Sequence, residues 1–277
     1  MTGHPAQREP APPGMPLARA ADQRVPGATL DADVRDAFLA LMSHELRTPL
    51  TSALGHLELL LDGIVGPLSD EQALVARSAE NGAKRLLRLV EDLLLVAGAG
   101  AGDGQLALDR QPVDLLDVAG AAAAARARPA QRGGVALEVV PCGTVVAQGD
   151  RARLVRMVEA LVCNAVAFTP PGGAVRVEVR ALDGWAAVDV ADTGVGIPAD
   201  ERTRVLERFY RGSATRHDGQ PGVGLGLAVA REVAASHGGT LSIVSEPGAG
   251  TTARATFPTG PDAPPTPPHA APALLAG

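Results

Sequence analysis

Aromatic side chains are nearly absent from this chain of 277 residues. One Trp, one Tyr and four Phe make up 2% of it, so any core must be aliphatic. Lysine is scarcer still: Lys84 stands alone among 25 basic residues, which excludes a Gly-Lys-Ser/Thr loop gripping nucleotide phosphates. Only two cysteines occur, Cys142 and Cys163, with no Cys-x-x-Cys pair. A disulfide framework is excluded; the expected setting is reduced and cytoplasmic, with both thiols as packing residues. The longest uncharged apolar run, Leu93 to Gly102, is diluted by glycine and falls far short of the ~18 residues of a membrane span. Positive charge is also in deficit, 25 basic against 31 acidic groups for a net −6. Affinity for nucleic acid through phosphate neutralisation is therefore not expected.

What is present suffices for a folded protein. Apolar residues at 46% against 20% charged exclude extended disorder, and the length predicts two domains at about 150 residues each. Proline-rich ends, residues 1–30 and 259–277, are expected to be disordered tails. Between them the pattern predicts a helical hairpin over 31–98, a glycine-rich linker over 99–105 and a second domain over 106–258.

Apolar residues at Leu39, Met42, Leu46, Leu50, Ala53, Leu57, Leu60 and Ile64 draw one stripe along a first helix. Asp62-Gly63 and Gly66-Pro67 end it, and Ser69 with Gln72 three residues on reads as a capping box opening a second. There, Val75, Ala79, Gly82, Leu86, Leu89, Leu93 and Val96 form a heptad seam. Two helices alone leave apolar surface exposed, so two copies are expected to form a four-helix bundle. His44 lies two residues from both Met42 and Leu46, about 200° around the helix, and therefore faces water. Arg47 and Thr48 share its face, Glu45 adjoins it, and Pro49 is expected to kink the helix just below it. Such a histidine is either an ordinary surface residue or a functional one.

Strands are expected at Leu106–Leu108, Val135–Val140 and Thr144–Ala147, with an alanine-rich helix over Asp114–Arg126. Asp150 reads as the N-cap of a helix running to Phe168. Ala174–Leu182 and Trp185–Val190 flank Asp183-Gly184, a type I′ hairpin signal; a helix over Leu225–His237 and strands over Gly239–Ser245 and Thr251–Phe257 follow. Hairpin-linked strands with interspersed helices predict an α+β fold, helices covering one face of a mostly antiparallel sheet.

Three features carry chemistry. The segment from Asp192 to Ala199 contains G-x-G-x-x-A, but Pro198 interrupts it and no second strand with an acidic residue follows about twenty residues on, so a dinucleotide fold is rejected. Asp192 suits a carboxylate accepting a hydrogen bond from an adenine amino group, with Gly194 and Gly196 admitting a flat ring; the alternative is an Asp-Gly turn. Gly222, Gly224 and Gly226 open an apolar helix whose bared N–H groups suit phosphate, and the polar residues from Thr203 to His217, Arg208 and Arg211 included, read as a lid or a solvated loop. Asn164, among Leu161, Val162, Ala165 and Val166, either caps a backbone group or offers its oxygen to Mg²⁺.

In order along the chain, SHELRTPL at 43–50, Asn164-Ala165 with Phe168-Thr169-Pro170, DTGVGIP at 192–198, ERFYRG at 207–212 and GVGLGLA at 222–228 resemble the five boxes of sensor histidine kinases. The resemblance covers about 33–258. It implies a dimeric four-helix bundle followed by a two-layer α+β ATP-binding sandwich of the Bergerat type. It makes His44 the phosphoacceptor, Glu45 its orienting or general-base carboxylate, Asp192 the adenine partner and Asn164 the Mg²⁺ ligand. The Gly222–Gly226 backbone becomes the phosphate cradle, Arg208 and Arg211 meet the transferring phosphoryl charge, and Thr48 orients water for a phosphatase reaction. ATP and Mg²⁺ are the implied cofactors; a second copy and a response regulator receiver domain are the implied partners. Relatives often carry a second Asn one turn before Asn164 and a basic residue three after it. Here Ala160 and Ala167 stand there, so a slow autokinase is expected. Only about thirty residues precede the first helix, so a separate sensor protein is the expected signal source. Competing readings are a non-catalytic ATP-binding interaction module with His44 idle, and a phosphatase-biased relative.

Overall fold

The computed structural model describes residues 45–97, 108–141, 143–213, 223–260, 263–264 and 274–275. His44, Gly222, the glycine-rich linker over 99–105, the proline-rich N-terminal segment and the residues before Glu45 lie outside them; Pro49, where a kink is expected, lies within the described part of the first helix.

A first helix, α1 (45–61), ends in a Schellman motif: Ile64 N–H donates to Leu59 O at 3.1 Å and Gly63 N–H to Leu60 O at 3.2 Å, with Gly63 left-handed at φ 72°. The second helix, α2 (Asp70–Ala97), starts on the expected capping box. Gln72 N–H donates to Ser69 Oγ at 3.2 Å, and Ser69 N–H donates to Gln72 Oε1 at 2.9 Å. Within the single chain Leu54, Ala76 and Val90 of these helices are buried. Much of the heptad seam points elsewhere: Val75 is 68% and Leu86 48% exposed, and Ala79 and Gly82 are exposed with them.

The second unit opens with β1 (Gln111–Asp114), which runs into α3 (Leu115–Arg132) through the Asp114 side chain, an N-cap accepting from Leu116 N–H at 2.9 Å. Next come β2 (Ala136–Val140), β3 (Val146–Gly149) and α4 (Arg151–Phe168), the last capped by Asp150 as its sequence suggests. Then β4 (Ala174–Leu182), β5 (Trp185–Asp192), α5 (Gly226–Ser236), β6 (Thr240–Glu246) and β7 (Gly250–Pro258) complete it. The main sheet has the order β2-β4-β5-β7-β6. β2 lies parallel to β4 and every other pair is antiparallel, while β1 and β3 form a separate antiparallel ribbon.

Strand alternation decides the layers. Val175, Val177 and Val179 on β4, Val188 and Val190 on β5 and Ala253, Ala255 and Phe257 on β7 face the helices, where Leu115, Val118, Leu154, Met157, Val158, Val229 and Val233 meet them. The opposite face carries charge. There Arg254 donates through Nε and Nη2 to Asp189 directly across the β5–β7 ladder, both at 2.6 Å. His237, buried at the end of α5, ties the layers at one corner. Its Nε2 accepts from Asp150 N–H at 3.0 Å, so Nδ1 carries the proton and donates to Val233 O at 2.7 Å. Burial holds its pKa below the ordinary histidine value.

The structure differs from local expectations at five places. Leu108 is not in a strand and Leu106 lies outside the described residues; the opening strand forms at Gln111–Asp114, where it pairs with β3. The alanine-rich helix continues past Arg126 to Arg132 and holds Pro129, while β3 starts at Val146 rather than Thr144. At the β4–β5 turn only Gly184 takes a positive φ, 70°, whereas type I′ needs it at Asp183 too. Finally, the expected C-terminal tail is fastened where it is described: Thr259 N–H donates to Gly184 O, and the Trp185 indole N–H donates to Pro264 O at 3.2 Å.

Candidate functional site

A cavity of about 540 Å³ opens between α4, the end of β5, the segment after it and the start of α5. Asn164, Asp192, Gly196, Arg211, Gly224 and Gly226, six of the residues singled out in the sequence, line it together. Its floor is apolar, from Leu161, Val190, Ile243 and Ala253, with few polar groups, as small-molecule sites generally are.

Asp192 is 6% exposed. Its Oδ1 accepts from Gly194 N–H at 2.8 Å and from Thr251 N–H at 3.1 Å, the latter across the β5–β7 pair. One oxygen thus closes an Asx turn, as the simpler sequence reading held, while the carboxyl still lines the cavity with acceptor capacity on Oδ2. Burial pushes the pKa from 3.8 up to about 6, against the pull of those two backbone N–H groups. Thr251 carried no motif; only its register opposite Asp192 reveals it.

The glycines are steric requirements. A Cβ on Gly194 would sit 2.5 Å from Phe168 O, and one on Gly196, at φ 70°, would sit 1.9 Å from Glu246 O. Gly224, at φ 74°, packs under Tyr210 O, and its own carbonyl accepts from Phe209 N–H at 2.9 Å. Helix α5 begins at Gly226 with Leu225 as N-cap and no side chain capping it, so its first-turn N–H groups meet the cavity with the helix's positive end. Gly222 falls outside the described residues.

Asn164 is half-buried on α4, and a Cβ on Gly226 would lie 3.6 Å from its amide. Among the described residues it caps nothing and has no hydrogen-bond partner, which sets the capping alternative aside. A side-chain oxygen beside a phosphate-sized space fits Mg²⁺, which takes few protein ligands when phosphates supply the rest. No His, Cys, Asp or Glu cluster among the described residues offers another metal site.

Two features differ from the sequence reading. Arg208 is exposed and does not line the cavity; the chain reverses at Phe209, which takes φ 62°, and the Arg208 charge acts instead on Glu232. In its vicinity Arg204 lies over the Tyr210 ring, 4.5 Å from its centroid. Nor did the sequence reveal that α2 borders the site: Arg85, Arg88, Leu89 and Asp92 line it, and Asp92 holds Arg156 of α4 in a two-pronged ion pair. Glu45 and Thr48 are exposed at the described start of α1.

Residues 34–102 match the model of the His Kinase A (phospho-acceptor) domain, and residues 149–261 match that of the histidine kinase-, DNA gyrase B- and HSP90-like ATPases. The chain belongs to the sensor histidine kinases. Among its relatives, the histidine protein kinase DivJ of Caulobacter vibrioides is 37% identical over 236 residues, which cover 83% of this chain and 39% of DivJ. The phosphate regulon sensor protein PhoR of Pseudomonas aeruginosa is 36% identical over 224 residues, 79% of this chain and 49% of PhoR. The chain thus spans less than half the length of these relatives. Full-length ShkA, solved in complex with AMPPNP, matches its structure with a TM-score of 0.63 at 31% identity, covering 83% of this chain and 47% of ShkA. Among the described residues no helix is long and apolar enough to cross a membrane.

Proposed function

We propose that the chain is an ATP-dependent protein-histidine autokinase that phosphorylates His44 and passes the phosphoryl group to an aspartate of a response regulator. One observation carries this reading: a buried carboxylate, Asp192, and an uncapped helix start at Gly226 border one cavity together with the amide of Asn164, which has no hydrogen-bond partner among the described residues. That triad suits adenine at one end, phosphates at the other and a cation beside them.

Asp192 accepts the adenine amino hydrogen, and Gly194 and Gly196 let the ring lie against backbone. The α5 N–H groups and Arg211 hold the phosphates, with the 203–217 segment as lid. Asn164 would hold Mg²⁺ beside the phosphates, and the cation would supply positive charge against that developing on the transferred group. A neutral His44 nitrogen attacks the γ-phosphorus in line, ADP leaves, and Glu45 orients the imidazole and takes its proton. Thr48 serves the reverse, hydrolytic reaction by orienting water. The setting is cytoplasmic.

The test is transfer of γ-labelled phosphate from ATP with Mg²⁺. Acid-labile label appears on the wild type, slowly, and is absent from His44→Gln; equal label on both sinks the assignment.

The same proposal includes a homodimer. Its support is the unpartnered stripe of α2, Val75, Ala79, Gly82 and Leu86, flanked by Leu74 at 71% exposure, a pattern of the kind that two copies bury as a bundle. Light scattering is expected to give twice the 28.1 kDa chain mass, and a monomer would remove the bundle from the scheme.

A further inference from the structure

Arg126 on α3 is a half-buried cation with nothing to hold. Its Nε is shielded from solvent without a hydrogen-bond partner, and among the described residues its guanidinium makes no ion pair. An unpaired guanidinium taken partly out of water is costly, so a folded chain retains one where a counter-charge arrives later or where function requires it. Arg126 borders the cavity that Asn164, Asp192 and Gly226 line, although it comes from a different helix than any motif of the sequence. The other acids on that wall are engaged: Asp92 holds Arg156, Glu201 accepts from Ser213 N–H at 3.1 Å, and Asp192 accepts two backbone N–H groups. No carboxylate there is left over for Arg126.

On the α4 wall, small side chains stand among Arg156, Leu161 and Phe168. Ala160 and Ala167, one turn before and three residues after Asn164, both border the cavity and contribute no polar atom beyond their backbone. A long side chain reaching in from α3, which packs along α4, meets little bulk there.

We infer that Arg126 is a phosphate-contacting residue of this cavity, supplying from α3 the positive charge that α4 does not supply at Ala167. The inference rests on the proposed nucleotide site and adds one binding residue to it. A guanidinium presents a fork of donors suited to two oxygens of one phosphate, so its contribution falls on the polyphosphate and not on the base.

The experiment is calorimetric titration of the intact chain with ATP and, separately, with adenosine, together with melting of the nucleotide-free protein. Arg126→Gln is expected to weaken ATP binding roughly tenfold or more while leaving adenosine affinity unchanged. Arg126→Met, which removes the unpaired charge but keeps an apolar stem, is expected to melt no lower than the wild type. Adding Ala167→Arg to Arg126→Gln is expected to recover a large part of the ATP affinity. Unchanged ATP affinity in Arg126→Gln overturns the inference alone. So does equal weakening of ATP and adenosine together with a lower melting temperature, the mark of a packing role. A wild type that binds neither ligand overturns the proposed nucleotide site, and this inference falls with it.

Discussion

Asp192→Asn is expected to lose nucleotide binding while the nucleotide-free protein becomes more stable. The two effects have one cause. Asparagine keeps an oxygen for Gly194 and Thr251 N–H, so the turn and the β5–β7 junction survive. Its second atom becomes an NH₂ donor, which faces the adenine amino donor instead of accepting from it. Loss of a charge-assisted acceptor plus a donor–donor clash amounts to about 3 kcal/mol, or roughly a hundredfold in affinity. Stability moves the other way. Raising the Asp192 pKa from 3.8 to about 6 costs the ionised native state about 3 kcal/mol at neutral pH, a cost absent when the side chain cannot ionise. The sign follows from linkage: the protonated carboxyl favours the fold below pH 3.8, and that contribution is lost as pH rises through about 6. Melting temperatures of wild type and variant therefore converge toward pH 4 and diverge toward pH 7, the variant being higher. A variant that melts lower at pH 7, or that still binds ATP with wild-type affinity, contradicts this role.

Gly196→Ala is expected to damage both fold and site. At φ 70° alanine pays about 1–2 kcal/mol for the left-handed conformation, and its methyl would lie 1.9 Å from Glu246 O and 2.6 Å from the carbonyl carbon. Retreat is blocked on both sides. Val195 N–H donates to Phe168 O at 3.1 Å, Val195 O accepts from Gly248 N–H at 2.9 Å, and Ile197 N–H donates to Ser245 Oγ at 2.8 Å. Overpacking of this kind adds about 1–3 kcal/mol, so the melting temperature falls by several degrees and ATP binding is lost with the loop that frames the base. Gly226→Ala is the control. A methyl there meets Asn164 at 3.6 Å and Ala160 at 3.9 Å, ordinary contact, and thermal stability stays near that of the wild type. Equal melting of Gly196→Ala and wild type would show that the loop yields more readily than its bonds imply.

Much of this site was legible because its chemistry depends on backbone, and backbone demands leave marks in sequence. Asp150 and Ser69 announce helix starts and stand where that demand placed them, and Gly196 and Gly224, read as sites of close approach to the backbone, both take a left-handed φ. Asp192 was visible as an acid between a strand and a glycine turn; its second backbone donor was not, because Thr251 meets it through sheet register between residues 59 apart. Arg208 and Arg211 look equivalent on the page, yet the reversal at Phe209 separates them, and only Arg211 reaches the cavity. The heptad seam from Val75 to Leu86 was readable as apolar periodicity, but periodicity does not say which face is covered within the single chain; there Ala76 and Val90 are buried while Val75 and Leu86 are exposed. Arg126 was invisible for a different reason. An arginine in an alanine-rich helix has no signature until the packing of α3 along α4 brings it to the cavity.

The most direct test of the site is an NMR titration of the Asp192 side-chain carboxyl carbon, followed from pH 4 to 8 without nucleotide, with ATP and with GTP. Burial, acting against the Gly194 and Thr251 N–H groups, holds its pKa up at about 6 in the free protein. An adenine amino group donating to that carboxylate stabilises its charged form, so ATP is expected to lower the pKa by a unit or more, while GTP, with a carbonyl where adenine has an amino group, is expected not to. A carboxyl that titrates at the same pH with and without ATP contradicts the account.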